Sequence, residues 1–121
     1  MQIQLENSHQ HSIQAYTDHS VSINNNTYQQ NLILSVETML VPWNIDTMYS
    51  LNAQHICELR LTHPKIILIG HNELNYIPNT EQMCVLYQTN IAIEWMSVGA
   101  ACRTFNILLS EFRDVVLGLI F

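Results

Sequence analysis

The sequence predicts an α/β fold: a three-layer single domain with a mixed central β-sheet, an N-terminal β-hairpin and meander, and about three helices. Three observations carry this expectation. Residues 65–70, Lys-Ile-Ile-Leu-Ile-Gly, form a continuous apolar run ended by glycine, the pattern of a strand buried on both faces. Residues 98–112 place Val98, Ala101, Phe105, Leu108 and Phe112 at steps of three and four, which is one apolar stripe of a helix. Short alternating segments come first in the chain, and helical and apolar segments alternate afterwards, giving a hairpin and meander followed by α-β-α-β-α-β.

Residues 1–11 are polar and are expected to be loosely ordered. Ile13 to Tyr16 and Val21 to Ile23 alternate apolar with polar around Thr17-Asp18-His19, which reads as a hairpin. Asn24-Asn25-Asn26 is a second turn, because asparagine tolerates the left-handed backbone that tight turns need. Tyr28 to Val36 reads as a third strand, and Met39 to Trp43 as a short extended piece ending near Pro42. Leu51, Ile56, Leu59 and Arg60 suit one face of a helix, which stops by His63-Pro64 because the residue before proline disfavours helical backbone. Pro78-Asn79-Thr80-Glu81 opens a second helix running to about Thr89. Ile91 to Met96 is the next strand, 98–112 the longest helix and 115–121 the closing strand. No internal repeat or linker is visible, so residues 1–121 read as a single domain.

Charge narrows the function classes. Charged residues make up 12% of the chain, about half the usual share, and four basic residues (Arg60, Lys65, Arg103, Arg113) stand against ten acids, for a net charge of −6. Such a chain has no footprint for phosphate backbones, so nucleic acid is not an expected partner. A low-charge surface instead suits contact with another protein, since interface cores are depleted in charge. Cys57, Cys84 and Cys102 are odd in number and contain no Cys-x-x-Cys pair, which argues against a disulfide framework or a zinc knuckle and for reduced thiols in a cytoplasmic compartment. The first residues lack the basic and apolar regions of a signal peptide, and the apolar segment 115–121 falls far short of the ~20 residues of a spanning helix, so direct membrane insertion is not expected.

The candidate site is the crevice at the carboxyl ends of the strands ending at Gly70 and Met96, where open α/β sheets favour ligands. Residues 94–106 are expected to form a strand, a tight turn at Gly99 and a helix opening on small residues, so that the N–H groups around Gly99 to Ala101 face the crevice with the helix dipole behind them. Gly70, His71, Gly99, Ala100, Cys102, Arg103 and Asn106 make up this ligand or partner crevice. Arg103 suits an anion clamp; the alternative is that Arg103 and Asn106 satisfy buried carbonyls and brace the loop at His71-Asn72. Cys102 is either a thiol activated by the helix terminus, with His71 as its only candidate base, or a buried free cysteine. His9, His11 and His19, and the scattered His55, His63 and His71, do not make a metal set. Glu94 and Glu111 are not expected to act as an acid–base pair, with Glu111 instead beside Arg113 or Arg103 and Glu94 at a solvated strand edge or bonded to backbone N–H groups. No catalytic residue, metal or cofactor is assigned.

Glu94-Trp95-Met96, then Gly99-Ala100-Ala101-Cys102-Arg103-Thr104-Phe105-Asn106-Ile107-Leu108 and Glu111-Phe112-Arg113, resemble the signature of one small domain-of-unknown-function family. That family includes the mitochondrial complex I assembly factor 3 and the adipogenesis-associated domain protein. Ile13 to Tyr16, Val21 to Ile23, Leu32 to Val36, Pro42-Trp43 and Pro64 to Gly70 resemble the same pattern in the same order. The chain departs from its bacterial relatives at three places: Gly70-His71-Asn72 for Gly-Thr-Gly, Asn90-Ile91 for Gly-Ile, and Phe112 for the glycine of Glu-Gly-Arg. The resemblance implies a three-layer α/β domain acting in assembly of respiratory or other membrane complexes, not an established enzyme. The expected function is therefore a non-enzymatic assembly or adaptor domain docking on a protein partner, such as a membrane complex or its assembly machinery; the alternative is a small-anion-binding protein or enzyme using the crevice near Gly70, Gly99 and Arg103.

Overall fold

A computed structural model describes residues 11–121. The apolar residues that alternate along each strand separate onto two faces of one sheet, and each face is covered by a different layer. Strands β1 (Ile13–Thr17), β2 (Ser20–Ile23) and β3 (Asn26–Tyr28) form a small antiparallel sheet, with the turn between β2 and β3 carried by Asn24 and Asn25 at φ 52° and 68°. Strands β4 (Leu32–Leu34), β5 (Met39–Leu40), β6 (Ile66–His71), β7 (Ala92–Ser97) and β8 (Val115–Leu119) form the large sheet in the order β5-β4-β8-β6-β7. β6 is parallel to β7 and β8, while β4 is antiparallel to β5 and β8, so the sheet is mixed.

Three helices complete the layers: α1 (Ala53–Leu59), α2 (Thr80–Tyr87) and α3 (Val98–Ser110). Leu32, Leu34, Leu68, Leu117 and Leu119 face Ala101, Cys102 and Phe105 of α3 and Val21 and Ile23 of the small sheet. Ile33, Ile67, Ile69 and Val116 face the other way, against Trp43, Ile56 and Leu59 of the α1 side and Leu86 of α2. Each buried valine, leucine, isoleucine or phenylalanine among these contributes about 1.5–3 kcal/mol by leaving water. The helices start where the sequence supplies caps: Asn52 accepts from Gln54 and His55 N–H, Asn79 from Gln82 N–H, and Ser97 from Ala100 N–H.

Two glycines set the layer spacing. A Cβ on Gly70 would lie 2.8 Å from Leu119 Cδ2 and 2.9 Å from Ala101 Cβ, and one on Gly118 would lie 2.7 Å from the Trp43 ring. Trp43 is buried over that gap, and its indole N–H donates to Glu58 Oε1 at 3.0 Å.

Several expected boundaries move. The single strand expected over Tyr28 to Val36 is two strands in two sheets, β3 and β4. The polar run Gln29-Gln30-Asn31 interrupts the apolar pattern, and Asn31 bonds Ile45 O and Phe121 N–H where the chain crosses between the sheets. Leu51 is not on α1; it closes a 3-10 turn over Met48–Ser50, and the helix begins only after Asn52. Gly99 is not in a turn: Ser97 caps the helix directly, so Gly99 lies in its first turn. The loosely ordered segment expected over 1–11 lies outside the described residues except for His11, which is buried with Nδ1 2.7 Å from Ser35 O.

The longest helix ends at Ser110, two residues short of the expected 112. Phe112 stands at φ 59°, with Phe112 N–H bonded to Leu109 O and Arg113 N–H to Leu108 O, a left-handed helix ending that favours glycine. Asn90 stands at φ 57°. Asn90 and Phe112, at two of the three places where the sequence departs from the pattern it resembles, are therefore positions of left-handed backbone. Phe112 is 89% exposed and loses little packing if truncated. Phe112→Gly is expected to stabilise the fold by about 0.5–1 kcal/mol, the left-handed strain less the added unfolded-chain entropy. Thermal unfolding should show a melting temperature raised by roughly 2–6 °C.

Candidate functional site

Because β6 and β7 run parallel and their continuations part, a crevice opens at their carboxyl ends. β6 leads from His71 into the loop towards α2, whereas β7 turns at Ser97 straight into α3. The crevice has a volume of about 600 Å³ and lies between the β1–β2 turn at Asp18-His19, the loop from Asn72 to Tyr76, and Trp95, Met96 and Ser97. Asn72 Nδ2 donates to Asp18 O at 2.8 Å, which ties the small sheet to the rim of the large one.

The floor is aromatic and held by hydrogen bonds. Tyr76 is buried, its ring set edge-on to His71 at 5.4 Å and to Trp95 at 6.1 Å, and its hydroxyl donates to Gln82 Oε1 at 2.6 Å. Gln82, itself buried in α2, donates from Nε2 to the carbonyls of Met48, Tyr49 and Leu51 at 3.1–3.2 Å. One side chain thus joins α2, the crevice loop and the 3-10 turn. Burial raises the Tyr76 pKa, with a smaller push from Tyr49, so the phenol stays neutral. His71 Nδ1 accepts from Glu73 N–H at 3.0 Å, which puts the imidazole proton on Nε2. Burial lowers the His71 pKa and Glu73 only partly offsets this, so the ring is a neutral hydrogen-bonding group near neutral pH. Asp18 and Glu73 are the charged lining residues, and neither arginine nor lysine lines the crevice.

Of the residues expected at the crevice, His71 lines it. Gly70 sits beneath, between Leu119 and α3, and gives the close approach described above. Gly99 lies under Tyr16 of β1, where an added Cβ would meet the ring at 2.9 Å, and Ala100 N–H is taken by Ser97 Oγ at 3.3 Å. Arg103 is exposed, donates from Nη1 to the Tyr16 hydroxyl and stands 5.8 Å from the centre of that ring. Asn106 Oδ1 accepts from Ile13 N–H at 2.8 Å and Nδ2 donates to Ile13 O at 2.9 Å, so it holds β1 onto α3. Cys102 is fully buried in the core under α3, and burial pushes its thiol up to about 12 against a smaller lowering by Arg103; it carries no thiolate at neutral pH.

The histidines have separate partners. His11 bonds Ser35 O, and His55 accepts from Asn52 N–H and pairs with Asn44 O at 3.1 Å, while His9 lies outside the described residues. Among the described residues no three side chains of metal-binding type gather. Glu94 is exposed in mid-strand on β7 and Glu111 is exposed at the end of α3. Sequence reasoning missed Asp18, Tyr76 and Trp95. Their signal lies in the parallel pairing of β6 and β7, which brings the loop after one strand against the end of the other.

Comparison with known proteins adds the kinship. The family described as a protein of unknown function (DUF498/DUF598) matches residues 13–120. A Francisella tularensis subsp. holarctica (strain LVS) protein named "13 kDa major membrane protein" is 32% identical over 94 residues, 77% of this chain and 76% of its own. The NMR structure of XCC1710 from Xanthomonas campestris superposes with a TM-score of 0.80 at 27% identity, covering 99% of this chain and 92% of its own. The crystal structure of an outer membrane protein from Bartonella henselae gives 0.71 at 25%, covering 92% and 94%. Among the described residues of this chain no helix is long and apolar enough to cross a membrane.

The bonds of Asn106 and the burial of His71 can both be tested by substitution. Asn106→Ala removes both bonds to Ile13 and is expected to cost about 1–3 kcal/mol in urea unfolding. Arg103→Ala, which loses one exposed contact, should cost under about 1 kcal/mol. For His71, the folded pKa is lowered, so the unfolded chain binds the proton more readily. Stability is then full above the ordinary histidine value of 6.5 and falls as pH drops below it. His71→Asn, whose Oδ1 can replace Nδ1 as acceptor, should flatten that acid-side slope in melting temperature against pH.

Proposed function

The chain belongs to the DUF498/DUF598 protein family of unknown function, and on that premise we propose that it is a non-enzymatic assembly or adaptor domain that docks on a larger protein complex. The observation that carries this is the rim of the crevice. Leu74, on the loop after β6, stands 87% exposed beside a pocket whose charged lining residues are Asp18 and Glu73. An exposed leucine beside carboxylates, on a chain of net charge −6, suits a partner segment that offers an apolar side chain next to a lysine or arginine. Asn72, which bonds Asp18 O, keeps the two walls of this docking site in one geometry before a partner arrives.

The resemblance to complex I assembly factors supports an assembly role. The names of the two relatives, a major membrane protein and an outer membrane protein, favour a partner resident in a membrane. The anion-binding reading has less behind it. Its clamp, Arg103, is engaged with Tyr16 outside the crevice, and the crevice itself carries carboxylates.

The test is a tagged pull-down from native lysate, split into membrane and soluble fractions, with wild type, Leu74→Glu and Arg103→Glu. The expected outcome is a defined set of membrane-complex subunits captured by wild type and by Arg103→Glu and lost with Leu74→Glu. Capture unaffected by Leu74→Glu removes the crevice rim as the docking surface. A thermal shift with phosphate or carboxylates that Arg103→Ala abolishes would restore the anion reading.

A further inference from the structure

The outer edge of the large sheet is a second open feature, on the other side of Trp95 from the crevice. Among the described residues β7 pairs only with β6, and no backbone group outside that ladder bonds residues 92–96. A six-residue edge of this kind is a template for another strand unless it is guarded by lysine, proline or a bulge. β7 has no lysine, proline or bulge; its one guarding charge is Glu94. The opposite edge, β5, is two residues long with Pro42 close behind it. Beside β7, on the α2 face, runs an apolar groove of about 500 Å³ lined by Ile77, Met83, Leu86, Tyr87, Ile93 and Trp95, with Ile77 and Tyr87 each 77% exposed.

We propose that β7 pairs antiparallel with β7 of a second copy, closing a two-fold dimer whose sheet runs continuously through both chains. A two-fold axis normal to the sheet keeps each face on its own side, so Ile93 and Trp95 of one copy arrive on the face that carries the groove of the other. The surface is thus complementary to itself, as a two-fold interface must be. Opposed residues in an antiparallel pair share a face, which leaves two registers that pair all but one residue of β7, centred on Glu94 or on Trp95. The first sets two carboxylates directly opposite each other, which is destabilising. The second sets Ile93 opposite Ser97, Glu94 opposite Met96 and Trp95 opposite its own copy, an aromatic cross-strand pair. Each sheet offers one usable edge, so association stops at two chains. With −6 on each copy, dimerisation strengthens as salt rises.

Sedimentation equilibrium of the full chain from low to high micromolar concentration tests this, together with amide hydrogen exchange at both ends of that range. The expected result is a species of twice the 14.0 kDa chain mass. Its dissociation constant should rise about tenfold or more in Ile77→Lys, a charge placed in the desolvated groove. Phe112→Gly, an exposed substitution past the C-terminal end of α3 that keeps the net charge, should leave it unchanged, and amides 92–97 should exchange more slowly at high concentration. A monomer at every concentration overturns the proposal. So does a dimer that Ile77→Lys leaves intact, or one in which amides 92–97 exchange equally at both concentrations.

Discussion

Helix α3 reaches the sheet because residue 70 has no side chain. With Leu119 Cδ2 and Ala101 Cβ both under 3.0 Å from where a Cβ would stand, and Val98 Cα at 3.2 Å, any larger residue would lift the first turn of the helix off β6. The position of that turn fixes much else. It lets Ser97 act as strand end and helix cap at once, sets Gly99 beneath Tyr16, and brings Asn106 level with Ile13 so that the small sheet is held in place. The small sheet in turn supplies Asp18 and His19 to the crevice. The shape of the candidate site is thus in part a consequence of one close backbone approach at its base, at the residue that precedes His71 and pairs with Met96.

Much of this architecture is legible in the residues. The continuous run ending at Gly70, the first three members of the helical stripe (Val98, Ala101 and Phe105), and the alternation of Val21 and Ile23 report burial on the faces where the structure has it, whereas Leu108 is only partly buried and Phe112 lies exposed beyond the helix. These signals are local periodicities, and a periodicity survives any tertiary arrangement. The split of Tyr28 to Val36 between two sheets is not legible, because an extended run does not say which sheet it joins. The start of α1 is set by the Asn52 cap, and Leu51 matches the helical spacing by coincidence while serving the 3-10 turn.

The site is less legible than the fold. Sequence proximity to Gly99 groups Cys102, Arg103 and Asn106 with the crevice, but successive helix positions point about 100° apart. That rotation sends Cys102 into the core, Arg103 to Tyr16 and Asn106 to Ile13. The crevice is lined instead by Asp18, His71, Tyr76 and Trp95, four residues spread over the chain that only the parallel pairing of β6 with β7 and the docking of the small sheet unite. Contacts of that kind carry no local periodicity. The left-handed backbone at Asn90 and Phe112 is the reverse case. It is a property of single residues and needs no tertiary contact to explain it, yet Phe112 carries no sign of it, since phenylalanine is not a residue that favours positive φ.

The sheet order has a consequence for how the chain comes into being. β8, residues 115–119, lies in the middle of the large sheet, between β4 and β6, and its side chains contribute to both cores. A ribosome synthesises those residues after every other element of the domain, so β4 and β6 wait unjoined until it has done so. Leu32, Leu34 and Ile67 to Ile69 are meanwhile without their central neighbour. Incomplete chains of this domain therefore leave apolar strands unjoined until residues 115–119 are made, the kind of transiently exposed surface through which partly folded chains aggregate.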